Sequence, residues 1–267
     1  MNVFVFELKM YKKSIIIWTL AISLSLFAYM AFYPTMAADT EAFEQLMSNY
    51  PEEILAFFGM NAELPMSSIL GYFGLTYSMI LIPIAIQASN YGFHMLSVEE
   101  RELTADFLLS KPISRTKIMV SKFLAALTSL VIVNIAVWIA SIAALQLFKG
   151  DATFNMGNVL VLLSSLIIFQ LFFISVGMVI SVSLRKISSV LSYSMALAFG
   201  LYILSALKSL FSSVIFGLLS PYSHFDAVEI LLHGKYDLIP TIISVFVIVI
   251  SLTMSYFLYL KRNIHSL

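Results

Sequence analysis

Side chains that could take part in chemistry are concentrated in residues 97–122, SVEERELTADFLLSKPISRTKIMVSK, between two long apolar segments. The neighbouring carboxylates of Glu99 and Glu100 could act as general acids and bases or bind a metal ion. Neither an H-E-x-x-H pattern nor a G-x-S-x-G pattern accompanies them anywhere in the chain. Without a second catalytic group at a defined spacing, these residue types favour a binding role over catalysis.

A second group of candidate residues lies between residues 212 and 238. His224 and His233 enclose Asp226 and Glu229 at spacings that place some of them on neighbouring helix faces. Such a group could hold a metal ion or carry a proton. The alternative is that these residues only hydrate a segment outside the membrane.

Three further polar residues lie in or beside apolar segments and are candidates for lining a path for cargo. Asn134 and Gln170 lie within such segments, and Lys208 lies near the end of one. Amides in this setting also join helices by hydrogen bonds, and a lysine near a helix end also extends to the membrane surface. The sequence leaves both interpretations open.

The elements that position these residues must lie in a membrane, because 60% of the 267 residues are hydrophobic and only 11% are charged. A spanning helix needs roughly 20 apolar residues, and continuous apolar runs favour helices over a barrel. We predict an all-α, polytopic protein with a single transmembrane domain over residues 1–267. Its six spans are predicted near 14–34, 68–96, 118–147, 158–183, 188–211 and 239–260.

The basic residues predict how these spans are oriented. Twelve of the fifteen Lys and Arg residues lie before span one, between spans two and three, after span four or after span six. Short cytoplasmic loops carry an excess of Lys and Arg, so both termini should be cytoplasmic. The three exceptions are Lys149, Lys208 and Lys235.

Three flanking segments are predicted to have structure of their own. Residues 1–13 are expected to form either an interfacial helix on the cytoplasmic side or the frayed start of span one. Residues 35–67 combine apolar residues at helical spacing with acidic ones, which predicts outer amphipathic helices. Residues 212–238 form an outer segment that either stays outside or re-enters the membrane.

The segment between spans two and three is predicted to be a helical hairpin over residues 97–117. Ser97 and Glu100 have the spacing of a capping box, which would start a short helix. Pro112 would end that helix, because its ring excludes helical geometry at the preceding residue. Ser114 can cap the helix that continues into span three. An exposed, structured hairpin of this kind suits docking, although its apolar residues could instead pack under the spans.

Residues 104–115, TADFLLSKPISR, preceded by Glu99, Glu100 and Arg101 and followed by Lys117 and Lys122, resemble the signature of ABC-2 type transporter permeases. In that family an acidic and basic start leads into a threonine, Leu-Leu-Ser, a proline and Ser-Arg before a span. The place of the motif and the six-span arrangement agree with the family. Leu103 departs from it, because many relatives have glycine there.

The resemblance implies that the hairpin is a coupling helix, which docks on a separate ATP-binding subunit and is driven by it. This chain has no G-x-x-x-x-G-K-[ST] phosphate loop, so ATP and magnesium are expected in the partner, and this chain is expected to be neither an enzyme nor a binder of cofactors. The expected contacts with the partner are made by Glu99, Glu100, Arg101, Thr104, Phe107, Leu108, Pro112 and Arg115.

The same resemblance implies a permease in a bacterial cell membrane, paired with a second copy or a homologous permease and surrounded by lipid. Its cargo is expected to be an amphipathic peptide, a peptide antibiotic such as a bacteriocin or lantibiotic, or a toxin. A lipid-like compound or a drug is the alternative cargo. No nucleic acid is expected as a partner.

Two other protein classes are alternatives. One class of intramembrane protease has paired glutamates followed by an arginine, but Thr104 stands at that position here. A channel or secondary transporter would need ionisable residues at mid-membrane depth, and the central parts of the predicted spans contain no Asp, Glu, Lys or Arg. Both alternatives are therefore less favoured than an ABC permease.

A cysteine introduced at Ser110 should react only from the cytoplasm, because the positive-inside rule places the hairpin there. The chain contains no cysteine, so a single introduced thiol reports on its own position. The measurement is labelling by a membrane-impermeant maleimide, compared between intact cells and inside-out vesicles. Labelling in intact cells would contradict the predicted orientation.

Overall fold

The computed structural model describes residues 3–40, 45, 47–51, 54–55, 63–101, 113–184, 187–211 and 213–261. Across these residues the chain consists of helices joined by turns and short connections. Six helices are long and apolar enough to cross a membrane, which confirms the predicted all-α class and number of spans. These candidate spans are Val3–Ala38, Ile69–Met95, Arg115–Phe148, Met156–Ser183, Val190–Lys208 and Leu238–Lys261.

The backbone hydrogen bonds of each span close within its own helix, as the water-free interior of a bilayer requires. The third helix continues through Pro83 without a break. Numbered along the chain, the helices are α1 Val3–Met30, α2 Tyr33–Ala38, α3 Ile69–Arg101, α4 Arg115–Phe148, α5 Met156–Ser183, α6 Val190–Phe211, α7 Val214–Leu219, α8 Pro221–His224, α9 Ala227–His233 and α10 Leu238–Lys261.

The N-terminal residues do not form a separate element. Helix α1 is unbroken from Val3 to Met30, so the segment predicted as an interfacial helix over residues 1–13 continues directly into the first span. Glu7 and Tyr11 are one helical turn apart and are both buried, whereas Phe6 is exposed. The start of α1 therefore packs one face against the protein.

Helices α3 and α5 form the centre of the bundle and approach each other closely at two glycines. A Cβ atom on Gly92 would lie 2.3 Å from the carbonyl oxygen of Ile174. A Cβ atom on Gly177 would lie 3.1 Å from the carbonyl oxygen of Ser89. Small residues of this kind allow helix backbones to pack closely in a membrane, where association depends on van der Waals contact and hydrogen bonds.

The six spans fall into two packing groups. Helix α1 lies chiefly along α4, whereas α3, α5, α6 and α10 pack with one another. The two groups touch each other less extensively than the helices within each group do. On the predicted cytoplasmic side, the chain crosses from one group to the other only between α3 and α4, where the predicted hairpin lies.

Between α6 and α10 the chain forms three short helices, α7, α8 and α9. Asp226 caps α9, because its Oδ1 atom accepts a hydrogen bond from the backbone N–H of Val228 at 2.9 Å. Gly234 ends α9 with a left-handed φ of 64°. The side-chain amide of Asn158, near the start of α5, donates to the carbonyl oxygen of Leu231 at 2.7 Å. These contacts fasten α9 to the outer end of α5.

The outer segment after the first span is described only in part. Helix α2 lies at its start, and residues 45, 47–51 and 54–55 are the described positions between 41 and 62. Fourteen of the 33 residues in the segment predicted to form amphipathic helices, 35–67, therefore fall outside the described residues. Its amphipathic character remains a prediction.

Gly92→Ala should destabilise the bundle by about 1–3 kcal/mol or more, because the added methyl group would meet the backbone of α5. Gly200→Ala is the matched control, since a Cβ atom there would have no neighbour within 4 Å. Thermal unfolding of the detergent-solubilised proteins measures the difference. Equal midpoints for Gly92→Ala and the wild type would contradict the close α3–α5 contact.

Candidate functional site

The predicted docking residues lie at and between the ends of α3 and α4. Glu99, Glu100 and Arg101 form the last turn of α3, and Arg115 begins α4. The tip of the hairpin, with Thr104, Phe107, Leu108 and Pro112, lies outside the described residues, as do the side chains of Glu99, Glu100 and Arg101. The contacts assigned to these residues remain predictions.

The two predicted helix caps of the hairpin have different outcomes. Ser114 caps α4 as predicted, because its hydroxyl accepts a hydrogen bond from the backbone N–H of Lys117 at 3.3 Å. The capping box at Ser97 is wrong, because α3 continues through this residue to Arg101. The Ser97 hydroxyl is buried and donates to the carbonyl oxygen of Phe93 at 2.7 Å. The end of α3 therefore forms the first arm of the hairpin.

A buried ion pair lies at the root of the hairpin. The Nζ atom of Lys122 on α4 lies 3.5 Å from Oε1 of Glu7 on α1, and the two side chains are 1% and 9% exposed. The same Nζ atom donates a hydrogen bond to the carbonyl oxygen of Met95 on α3 at 3.0 Å. One ammonium group thus joins the two arms of the hairpin to the N-terminal helix.

Sequence reasoning treated Lys122 as a cytoplasmic basic residue that follows the permease-like motif, and it did not single out Glu7. A signal was present, because Glu7 is the only acidic residue among the first 38. An isolated carboxylate in an apolar helix needs a partner, because burying an unpaired charge is costly. The sequence did not indicate which basic residue this partner is.

Aromatic contacts surround this junction. The rings of Tyr11 on α1 and Tyr91 on α3 pack with their centroids 4.7 Å apart. The hydroxyl of Tyr91 lies within hydrogen-bonding distance, 3.1 Å, of the hydroxyl of Ser14. The start of α1 and the last part of α3 are therefore held together by polar as well as apolar contacts.

Arg115 connects the start of α4 to the end of α10. Its Nη1 atom donates to the carbonyl oxygen of Leu260 at 3.3 Å. That carbonyl lies in the last turn of α10, where helix acceptors lack partners within the helix. Thr116 and Tyr256 bring their hydroxyls within 3.3 Å of each other beside it. Arg115 therefore makes a structural contact within the protein, in addition to the docking role predicted from the sequence.

Asn134 and Gln170 contact each other in the interior of the bundle. The Nδ2 atom of Asn134 on α4 donates to Oε1 of Gln170 on α5 at 2.7 Å, and both residues are buried. Close by, the indole N–H of Trp138 donates to the carbonyl oxygen of Leu163 at 3.0 Å. These bonds join α4 to α5, which favours the helix-joining interpretation of the two amides over the lining of a path.

Lys208 lies in the last turn of α6 with an exposed side chain. Its aliphatic stem packs against α7 at Gly217, where a Cβ atom would lie 2.9 Å from the Cδ atom of the lysine. A stem that covers protein while the charge stays accessible is the usual arrangement of a lysine near a helix end. The role of Lys208 in binding an anionic part of the cargo remains a prediction.

His224 is buried, and it has a structural role. Its Nε2 atom lies 3.0 Å from the carbonyl oxygen of Leu218, and Nδ1 lies 2.6 Å from the hydroxyl of Ser244. Because a carbonyl only accepts, Nε2 carries the proton and Nδ1 accepts from Ser244 in the neutral ring. Burial lowers the pKa of the imidazole below its ordinary value, and the nearby charge of Lys208 acts in the same direction.

These bonds leave neither ring nitrogen of His224 free for a metal ion. His233 lies one turn from Glu229, with its Nδ1 atom 3.4 Å from the carboxylate, and both side chains are more than half exposed. Among the described residues no group of three His, Asp or Glu side chains is arranged to hold a metal. The geometry therefore favours the structural interpretation of this segment.

A family model described as ABC-2 family transporter protein matches residues 1–264. A search of curated proteins finds no match.

Asn134→Leu and Gln170→Leu should each destabilise the protein by about 0.6–2 kcal/mol, because each leaves the other amide without its partner in an apolar interior. The double variant should lose less stability than the sum of the two single losses. Thermal unfolding of the four proteins in detergent provides this cycle. Additive losses would show that the two amides act independently and would contradict the helix-joining role.

Proposed function

This chain belongs to the ABC-2 family of transporter proteins and is the membrane subunit of an ABC transporter, and we propose that it exports an amphipathic peptide, a peptide antibiotic or a toxin. The energy would come from ATP hydrolysed with magnesium in a separate ATP-binding subunit. The alternative cargo is a lipid-like compound or a drug. Family membership also favours transport over the intramembrane protease and secondary transporter alternatives.

The proposal about cargo is based on the absence of charged side chains from the middle of the spans. Residues 14–38, 69–98, 123–147, 158–183, 190–207 and 240–260 contain no Asp, Glu, Lys or Arg. Ion pathways in membranes use buried ionisable groups, which are costly and are kept where they function. Asn134 and Gln170, the amide pair at this depth, are hydrogen-bonded to each other. An uncharged, largely apolar interior suits a cargo that has an apolar face of its own.

The outer faces of the spans are compatible with a path between two copies of the permease. Large apolar side chains are exposed on both packing groups, among them Ile135 and Ile139 on α4 and Phe246 and Val249 on α10. In a membrane such faces contact either lipid or another helix. We propose that part of this surface meets a second permease and that amphipathic cargo moves along the boundary.

We propose that the segment 212–238 re-enters the membrane and closes the outer end of this path. Tyr222 on α8 packs edge-on against Phe169 and Phe173 of α5, with centroid distances of 5.1 and 5.7 Å. Phe173 lies about 26 Å along α5 from its outer end, at a rise of 1.5 Å per residue. Contacts this deep support a segment that turns back among the spans.

The partner site is proposed at the tip of the hairpin between α3 and α4. Phe107 and Leu108 would anchor it in a groove of the ATP-binding subunit, and Glu100, Arg101 and Arg115 would make polar contacts around them. Buried apolar anchors surrounded by polar groups are typical of protein interfaces. The position of the segment between the two arms supports this role, because force applied there reaches α3 and α4 together.

Phe107→Asp or Leu108→Asp should abolish co-purification of a co-expressed ATP-binding subunit, because a charge would have to be buried in an apolar groove. Phe211→Asp is the matched control, since Phe211 lies at the opposite end of a span and is 68% exposed. All variants should still insert in the membrane. Undiminished co-purification of Phe107→Asp would contradict the docking site.

Complexes of the permease with the ATP-binding subunit can also be used to test which cargo is transported. Inside-out vesicles that contain the permease and the ATP-binding subunit should accumulate a fluorescent amphipathic helical peptide when ATP and magnesium are added. A fluorescent phospholipid analogue is the comparison, and vesicles with Phe107→Asp are the control for coupling. Movement of the lipid without the peptide would favour the alternative cargo, and ATP-driven loss of preloaded peptide would contradict export.

A further inference from the structure

We propose that the Glu7–Lys122 ion pair is a positioning element that carries movement of the cytoplasmic hairpin into the α1–α4 packing group. The proposal rests on the proposed function, because it assumes that an ATP-binding subunit moves the hairpin. It concerns two residues that are not among the predicted contacts with the ATP-binding subunit. Their role is to determine which helices follow the hairpin.

The position of Lys122 makes it suited to this role. It lies seven residues after the start of α4 at Arg115, about 10 Å along the helix, and Met95 lies six residues before the end of α3 at Arg101. Its ammonium group contacts Met95 and Glu7 at once. A displacement of either arm of the hairpin therefore acts directly on this group.

The chemistry of the Glu7–Lys122 pair restricts how α1 can move relative to α4. Lys122 and Glu7 are buried, so neither charge can exchange its partner for water without a large loss of free energy. A salt bridge and a hydrogen bond also require defined distances, whereas apolar contact is non-directional and lets helices slide. The pair thus fixes the register of α1 on α4 at the cytoplasmic end.

The two packing groups indicate which helices would move together. Helix α1 packs chiefly along α4, and the remaining spans pack together. The polar bonds between the groups include Asn134 with Gln170 and Trp138 with Leu163 within the spans, and Lys122 with Met95 and Ser14 with Tyr91 near the hairpin. If the hairpin moves α4 relative to α3, the pair makes α1 follow α4, and the change occurs at the boundary between the groups.

The main test is the double variant Glu7→Leu/Lys122→Met. Single variants would leave one buried charge without its partner and could simply fail to fold. Replacing both charges with apolar side chains of similar size is often tolerated, so the double variant should insert, unfold near the wild-type temperature and retain the ATP-binding subunit. Lys13→Met is the matched control, because Lys13 is exposed on α1, the helix that carries Glu7, and lies outside the hairpin.

The readout is the movement between the groups. Spin labels at Leu24→Cys on α1 and Phe246→Cys on α10 report it, since these positions are 64% and 63% exposed and the chain has no other cysteine. The distance is measured by pulsed electron paramagnetic resonance in complexes diluted with unlabelled permease. Each complex is compared without nucleotide and after trapping with ATP, magnesium and vanadate.

The wild type and Lys13→Met should show an ATP-dependent change in this distance, and the double variant should lose at least half of it while ATP hydrolysis continues. A full distance change in the double variant would overturn the positioning role and leave the proposed function intact. An unchanged distance in the wild type would also overturn it. Failure of the wild type to bind an ATP-binding subunit would overturn the proposed function and this inference together.

Discussion

The fold depends on one constraint: the interior of a bilayer offers no water, so each polar group needs a partner within the protein. The backbone meets this constraint by forming helices. Polar side chains meet it at the contacts between helices, as Lys122 does with Met95, Asn134 with Gln170 and His224 with Leu218. Each of these three bonds joins two elements, so such bonds also help to connect the helices.

These connections have a consequence for transport. Helices α3 and α5 approach closely at Gly92 and form a centre with little room for rearrangement. Helices α1 and α4 form a second group that meets this centre through fewer contacts. The segment that joins α3 to α4 therefore connects the two groups. The Glu7–Lys122 pair lies near the ends of α3 and α4 that this segment joins. Because the pair is buried, it connects α1 firmly to α4.

The outer half of the protein has a different character. Its short helices α7, α8 and α9 are held by a helix cap at Asp226, a buried neutral His224 and the aromatic contacts of Tyr222. Residues that resemble a metal or proton site in the sequence are used here to stabilise short helices that have few internal hydrogen bonds. Lys208 keeps its charge accessible beside them, at the side from which an exported cargo would leave.

The number of spans, the helical class, the Ser114 cap and the family could all be predicted from the sequence, because apolar length, cap spacing and a short motif are local properties. The capping box at Ser97 failed, since packing of α3 against α5 extends the helix through it. The partner of Glu7 and the role of Asn134 and Gln170 depended on which helices are neighbours. Those pairings bring together residues far apart along the chain, so only the tertiary structure decided them.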